Sequence, residues 1–119
     1  MNGVKYLLDT NILIGMYKHL PDVRNLLNAS SATTANCGYS AITRMELLSY
    51  PGITQAEITA LQNLLAKLTY LPLTMAIEDA TISLRRAHRV KLPDAIIVAT
   101  AEVHGLRLLT LDKNLATFS

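Results

Sequence analysis

Four short apolar segments, separated by stretches of helical character, constrain the fold of this chain most. They are the candidate strands at positions 4–8, 37–40, 69–73 and 106–110. The stretches between them carry helical signals, such as the capping box of Thr54 and Glu57 before an amphipathic run. Short buried strands that alternate with helices are typical of a short parallel sheet flanked by helices on both faces. We therefore predict an α/β fold in which residues 1–119 form a single domain.

Composition narrows the cellular setting and the kinds of site that the chain can carry. Half of the 119 residues are hydrophobic, and the net charge is only +2, so nucleic-acid binding would require locally concentrated positive charge. The single cysteine, Cys37, cannot form an internal disulfide, and the three scattered histidines do not have the spacing of a zinc site. No signal peptide is recognisable, and no apolar run approaches the ~20 residues of a membrane helix. We expect a cytoplasmic protein without membrane contact.

Four of the nine acidic residues are not explained by a capping box, an early helical turn or a late, solvent-facing helical position. They are Asp9, Glu46, Asp94 and Asp112. Asp9 follows the first candidate strand, Asp112 follows the last, and Asp94 begins an apolar helix. The carboxyl ends of parallel strands meet at one edge of a sheet, where ligands gather. We expect three of these acids at that edge, with Glu46 on the border of the buried face of its own helix.

Each of the four acids could also have a purely structural role. Asp9 and Asp94 could be helix N-caps, Asp112 a turn residue and Glu46 a solvent-exposed side chain. Their convergence on one edge favours a functional role, because two carboxylates about 4 Å apart repel by about 4 kcal/mol at an effective dielectric of about 20. Such a cluster must share protons or bind a cation. Hard carboxylate oxygens prefer Mg²⁺ or Mn²⁺, so the sequence predicts a site for one of these ions.

Four segments also resemble, in order, the motifs of PIN-domain ribonucleases, particularly the VapC-type toxins of toxin–antitoxin pairs. They are "LLDTNILI", "SAITRMELLSYPG", "LPDAIIVATA" and "LRLLTLDKNL". The resemblance implies that Asp9, Glu46, Asp94 and Asp112 are the catalytic, metal-binding quartet of a divalent-metal-dependent endoribonuclease. In such an enzyme, a metal-activated water hydrolyses RNA phosphodiesters.

The resemblance extends to the surroundings of the quartet and to partners. Asn11 and Thr110 occupy motif positions that are usually polar in the family, which implies that they orient the carboxylates. Leu115 occupies a position that is often aromatic there. The resemblance further implies a homodimer, an antitoxin protein that blocks the site, and RNA as the substrate.

Basic residues near the quartet are candidates for contact with RNA. Arg85 and Arg89 are four residues apart and share a helical face shortly before Asp94. They could bind phosphates beside the cleavage site or simply complement the dipole at the end of their helix. Arg44 and Lys113 are weaker candidates, each close in sequence to a quartet acid.

Two other functions are compatible with parts of the pattern. A Mg²⁺-dependent phosphohydrolase of the haloacid dehalogenase type also has an aspartate after its first strand, but it requires a second aspartate two residues later, where this chain has Asn11. A catalytically inactive module that binds RNA or a protein partner is the non-enzymatic alternative. Four acids near bound phosphates would weaken RNA binding by such a module.

Overall fold

The computed structural model describes residues 3–118, which fold around one parallel sheet. Its strands are β1 (Tyr6–Leu8), β2 (Cys37–Ser40), β3 (Thr69–Leu71) and β4 (Arg107–Leu109). Each strand lies inside a segment that the sequence predicts to be a strand. The predicted alternation of strands and helices is therefore confirmed.

The order of the sheet, β3–β2–β1–β4, reverses beside β1. The chain adds β2 and β3 on one side of β1, whereas β4 pairs with its other side. Leu7 of β1 lies opposite both Gly38 of β2 and Leu108 of β4. Open parallel sheets bind ligands at the carboxyl ends of the strands where the order reverses. Residues that follow β1 and β4 therefore occupy the place expected of a functional site.

Seven α-helices connect or follow the strands within residues 3–118. They are α1 (Thr10–Tyr17), α2 (Pro21–Ala29), α3 (Ala41–Ser49), α4 (Gln55–Leu65), α5 (Met75–Ala87), α6 (Leu92–His104) and α7 (Lys113–Ala116). A 3₁₀ turn, Thr34–Asn36, precedes β2. Among the helices of this part of the chain, none combines the length and hydrophobicity that a membrane-spanning segment requires.

Two hydrophobic cores lie on opposite faces of the sheet, because successive residues of a strand point in opposite directions. Leu8 belongs to the core formed with helices α1 to α4, which includes Leu47. Leu7 belongs to the core formed with helices α5 to α7, which includes Ile97. Burying each such side chain contributes about 1.5–3 kcal/mol. Helices thus cover both faces, as predicted.

Helix α6 begins at Leu92, two residues before the start that the sequence predicts at Asp94. Pro93 is compatible with this start, because the N–H that proline lacks would have no partner in the first helical turn. Lys91 is the N-cap residue, and its carbonyl accepts the Ala95 N–H at 2.8 Å. Asp94 therefore lies within the first turn, and the prediction that Asp94 could be an N-cap is wrong.

Candidate metal centre and active site

Asp9 lies at the carboxyl edge of the sheet, between the ends of β1 and β4. It is the N-cap residue of α1, and its Oδ1 accepts the Thr10 N–H at 2.8 Å. Its own N–H donates to the Leu109 carbonyl of β4 at 3.0 Å. The residue is only 5% exposed. Backbone hydrogen bonds from two elements therefore hold Asp9 in place, and its capping role is confirmed.

Asn11 and Thr110 both donate hydrogen bonds to the second carboxylate oxygen of Asp9. The Thr110 hydroxyl donates to Oδ2 at 2.6 Å, and Asn11 Nδ2 donates to it at 3.2 Å. Asn11 Oδ1 in turn accepts the Leu111 N–H at 3.2 Å, and the Thr110 hydroxyl accepts the Asp112 N–H at 3.0 Å. This network connects the segment after β1 with the segment after β4. It can fix the direction in which the Asp9 carboxylate points.

Asp94 reaches the same region from the first turn of α6, where it is partly buried. Burial is the largest effect on its carboxyl and raises its pKa, and the charges of Asp9 and Asp112 raise it further. Lys91 offsets part of this increase. Asp94 therefore lies within electrostatic reach of aspartates from two other elements, and Lys91 only partly compensates for their repulsion.

Asp112 follows β4 and is the N-cap residue of α7. Its Oδ1 accepts the N–H groups of Asn114 at 2.8 Å and Leu115 at 3.4 Å. With Asp94 it lines a cleft of about 520 Å³, which His88, Arg89 and Lys91 also border. The sequence suggests only a turn at Asp112, because a helix of four residues is too short to show hydrophobic periodicity.

Glu46 is connected to Asp9 through Thr10, which contacts both carboxylates. The Thr10 hydroxyl donates to Glu46 Oε1 at 2.7 Å and lies 3.0 Å from the Thr43 hydroxyl. Thr43 is fully buried and hydrogen-bonded to Ser40. Thr10 and Thr43 are not among the site residues that the sequence predicts. The only signals were the position of Thr10 inside "DTN" and that of Thr43 one helical turn before Glu46.

Comparison with known proteins agrees with this architecture. Residues 6–119 match the family model of the PIN domain. The chain belongs to the PIN domain family. Among curated proteins, no sequence matches. The resemblance to PIN-domain proteins that the four motifs indicate is confirmed.

Solved structures that resemble this PIN domain include toxin–antitoxin complexes. One from Klebsiella pneumoniae is 30% identical, with a TM-score of 0.79, covering 91% of this chain and 87% of that chain. DNA-bound VapBC from Salmonella typhimurium is 25% identical, with a TM-score of 0.72 and coverage of 87% and 83%. VapBC2 from Rickettsia felis, bound to a DNA fragment from its promoter, shares the fold at 21% identity, with a TM-score of 0.76 and coverage of 97% and 93%. The predicted similarity to VapC-type toxins is confirmed.

The donor atoms of the PIN domain's acidic cluster suit a hard divalent cation. Carboxylate oxygens of Asp9, Asp94 and Asp112 are the ligands that Mg²⁺ and Mn²⁺ prefer. In their present rotamers, however, no three acidic, histidine or cysteine side chains within residues 3–118 are arranged to hold an ion. One carboxylate oxygen of Asp112 accepts hydrogen bonds from its own helix, and one oxygen of Glu46 accepts from Thr10. The residues fit a cation by the chemistry of their oxygens and by their location at the carboxyl edge of the sheet.

The four basic candidates occupy different environments in the PIN domain. Arg89 borders the cleft beside Asp94 and Asp112. Arg85 Nε instead donates to the Val90 carbonyl at 3.2 Å, which fastens the end of α5 to the segment before α6. Arg44 is exposed on α3 and lies near Tyr39, where its charge partly offsets the burial that raises the pKa of that phenol. Lys113 is the exposed first residue of α7.

Proposed function

We propose that this PIN domain is an endoribonuclease and the toxin of a toxin–antitoxin pair, and that it hydrolyses RNA phosphodiesters with Mg²⁺ or Mn²⁺. One observation supports the activity above all. Asp9, Asp94 and Asp112 come from three elements, and Asp94 is partly buried within reach of the like charges of Asp9 and Asp112. Such an arrangement costs stability in the folded protein, whereas a cation relieves the repulsion and supplies the chemistry.

The residues of the site divide into those that hold the cation and those that position them. Asp9, Asp94, Asp112 and Glu46 would supply its ligands. When bound, the cation would polarise the scissile phosphate and lower the pKa of the attacking water. Asn11 and Thr110 hold the Asp9 carboxylate, and Thr10 holds Glu46.

Positive charge beside the aspartates would place the RNA. Arg89 and Lys91 border the cleft and can contact phosphates on either side of the scissile bond. Arg85, Arg44 and Lys113 lie outside the residues that line this cleft. We assign these three at most contacts with more distant phosphates.

The proposed partners are an antitoxin that covers the site and a second copy of the chain. The antitoxin proposal is supported by the toxin–antitoxin complexes among the similar solved structures. A cytoplasmic location follows from the proposal, because both the RNA substrate and the antitoxin would be met there.

Neither alternative explains the site as well. In a haloacid dehalogenase-type phosphohydrolase, a second aspartate would act at the position of Asn11. Here the Asn11 amide donates to Asp9 and accepts from Leu111, so it serves as a structural link. In an inactive RNA-binding module, Asp94 and Asp112 in the cleft would repel the phosphates of the RNA.

RNA cleavage with and without EDTA tests the proposal directly. We expect cleavage to require Mg²⁺ or Mn²⁺, and Asp94→Asn to reduce the rate at least about 100-fold. Glu102→Gln is the matched control, because it neutralises an exposed acid near the other end of the same helix and should retain full activity. Isothermal titration should show that Mn²⁺ binds Asp94→Asn more weakly than it binds the wild type. Its affinity for Glu102→Gln should equal its affinity for the wild type. Full cleavage by Asp94→Asn would contradict the proposed site. Cleavage that EDTA does not affect would contradict the proposed metal dependence.

A further inference from the structure

Thr43 is a buried threonine whose hydroxyl contacts a different helix from its own. Two other buried threonines, Thr81 and Thr100, donate their hydroxyl protons to carbonyls four residues earlier in their own helices, at 2.7 and 2.6 Å. Thr43 has no helical carbonyl four residues behind it, because α3 begins at Ala41. Its hydroxyl instead lies 3.0 Å from the Thr10 hydroxyl of α1.

The number of available protons fixes the direction of the hydrogen bonds around Thr43. Each hydroxyl has one proton to donate, and an ionised carboxylate only accepts. Thr10 therefore donates its proton to Glu46 Oε1 at 2.7 Å and accepts from Thr43. Thr43 in turn accepts from Ser40 Oγ at 3.3 Å. The hydroxyl network of Ser40, Thr43 and Thr10 thus runs in one direction, from the buried start of α3 to the Glu46 carboxylate.

This hydroxyl network restrains an acid that is otherwise exposed. Glu46 lies on the exposed side of α3, where a long side chain can adopt several rotamers. Hydrogen bonds to an ionised group are roughly twice as strong as neutral ones, and successive bonds in one direction polarise one another. Ser40 also accepts the Thr43 N–H at 3.2 Å, so the backbone anchors the inner end of the network.

Thr10 connects the hydroxyl network to a second acid. Its N–H donates to Asp9 Oδ1 at 2.8 Å, while its hydroxyl donates to Glu46. The position of Thr10 therefore sets the position of the Glu46 carboxylate relative to Asp9. Metal ligands depend on supporting hydrogen bonds of this kind for their orientation.

We infer that Thr43 is a positioning residue of the proposed nuclease, and that it acts through Thr10 to hold the Glu46 carboxylate in place beside Asp9 for binding of the divalent cation. The inference rests on the proposed function and adds a buried residue to its supporting groups. Helix capping explains why Ser40 accepts the Thr43 N–H, but it does not require a hydroxyl on residue 43. A valine there would fill a similar volume without a buried polar atom that needs a partner.

Substitution of Thr43 tests this role through two readouts, the rate of RNA cleavage in Mg²⁺ and the affinity for Mn²⁺ from isothermal titration. We expect Thr43→Val to reduce both about tenfold or more, which is the effect typical of a lost supporting group. Thr43→Ser retains the hydroxyl and should stay within about threefold of the wild type. Thr81→Val is the matched control, because it removes a buried hydroxyl that donates within α5, and it should leave both readouts unchanged.

A double-mutant cycle separates the positioning of Glu46 from a general effect on packing. Glu46→Ala removes the carboxylate on which the hydroxyl network ends, so the addition of Thr43→Val should weaken Mn²⁺ binding by less than about twofold more. Thr10→Val interrupts the same network at its partly buried outer end and should match Thr43→Val in both readouts. Circular dichroism melting verifies the fold of each variant, and Thr10→Val decides the question where Thr43→Val fails to fold.

Three outcomes would contradict the inference in different ways. Wild-type cleavage and Mn²⁺ affinity in Thr43→Val or in Thr10→Val would overturn the positioning role and leave the proposed nuclease intact. Equal losses of affinity from Thr43→Val with and without the Glu46 carboxylate would assign residue 43 to packing. A wild type that neither cleaves RNA nor binds Mn²⁺ would overturn the proposed function and this inference together.

Discussion

Asp9 and Asp94 belong to one acidic cluster, yet the structure around them differs. The Asp9 carboxylate accepts three hydrogen bonds, from Thr10, Asn11 and Thr110. Asp94 is positioned by the helix that carries it, and the largest influences on its carboxyl are burial and the charges of Asp9 and Asp112. A hydrogen-bond network thus holds Asp9, whereas helix α6 holds Asp94 close to like charges that repel it. A metal site needs both rigid ligands and an uncompensated negative charge.

Asp112 combines both features: it accepts hydrogen bonds as the N-cap of α7, and its charge raises the pKa of Asp94. Asp112→Asn should retain the cap, since asparagine caps helices about as well as aspartate does. We therefore expect an almost unchanged melting temperature but RNA cleavage reduced by at least about tenfold. Asp112→Ala should lose activity to the same degree and also cost about 1 kcal/mol of stability. Equal activity of Asp112→Asn and the wild type would restrict Asp112 to its capping role.

Thr110 tests whether the network around Asp9 matters for function. Thr110→Val keeps the shape of the side chain but removes the donor to Asp9 and the acceptor for the Asp112 N–H. Loss of such a supporting group typically reduces metal affinity or activity about 10–100-fold. We expect a reduction in that range in cleavage assays, with activity preserved in Thr110→Ser. Thr81→Val is the control, because Thr81 is buried and its hydroxyl donates to the Ile77 carbonyl within α5, away from the site. Similar losses in both valine variants would indicate a general packing effect.

Some residues of this site can be predicted from the sequence, and others depend on how distant elements pack. The aspartates after β1 and β4 are predictable, because parallel strands end at one edge and the residues after them are fixed by a local pattern. The connection from Thr10 to Glu46 is not, because it joins residues 36 positions apart through a hydrogen bond that depends on how α1 and α3 pack. Helix α7 is also unpredictable, because its four residues depend on the Asp112 cap and on the burial of Leu115.

The start of α6 shows how a local signal can mislead. An aspartate directly after a proline is a plausible N-cap, although proline is itself common in the first turn of a helix. The structure extends it to Leu92 because the first-turn position of Pro93 needs no N–H donor. Asp94 is consequently free of a capping duty, which explains why its substitution should affect chemistry more than helix stability.

Arg89 and Arg85 provide a comparison within the predicted RNA-binding residues. Arg89 borders the cleft, whereas Arg85 donates to the Val90 carbonyl. We expect Arg89→Ala to weaken RNA binding several-fold and to lower the salt slope of the affinity by about one unit. Arg85→Ala should instead reduce thermal stability slightly and leave the salt slope nearly unchanged. Binding would be measured with Asp94→Asn as the background, so that cleavage does not interfere. Equal salt slopes for the two variants would contradict this assignment of roles.

The smallest expected effect is a pH dependence of stability that distinguishes Asp94 from the hydrogen-bonded Asp9. Burial and the charges of Asp9 and Asp112 raise the pKa of Asp94 above its ordinary value of 3.8, so the folded state binds this proton more tightly than the unfolded state does. The resulting stabilisation is complete below that ordinary value and is lost as the pH rises through the folded-state pKa. Asparagine does not titrate, so in EDTA the melting temperature of the wild type should fall relative to that of Asp94→Asn over this interval. Mn²⁺ at neutral pH should then raise the melting temperature of the wild type more than that of the variant, because only the wild type retains the full ligand set. A melting-temperature difference that stays constant with pH would mean that the folded protein does not raise the pKa of Asp94, and the electrostatic reason for a cation at this edge would be lost.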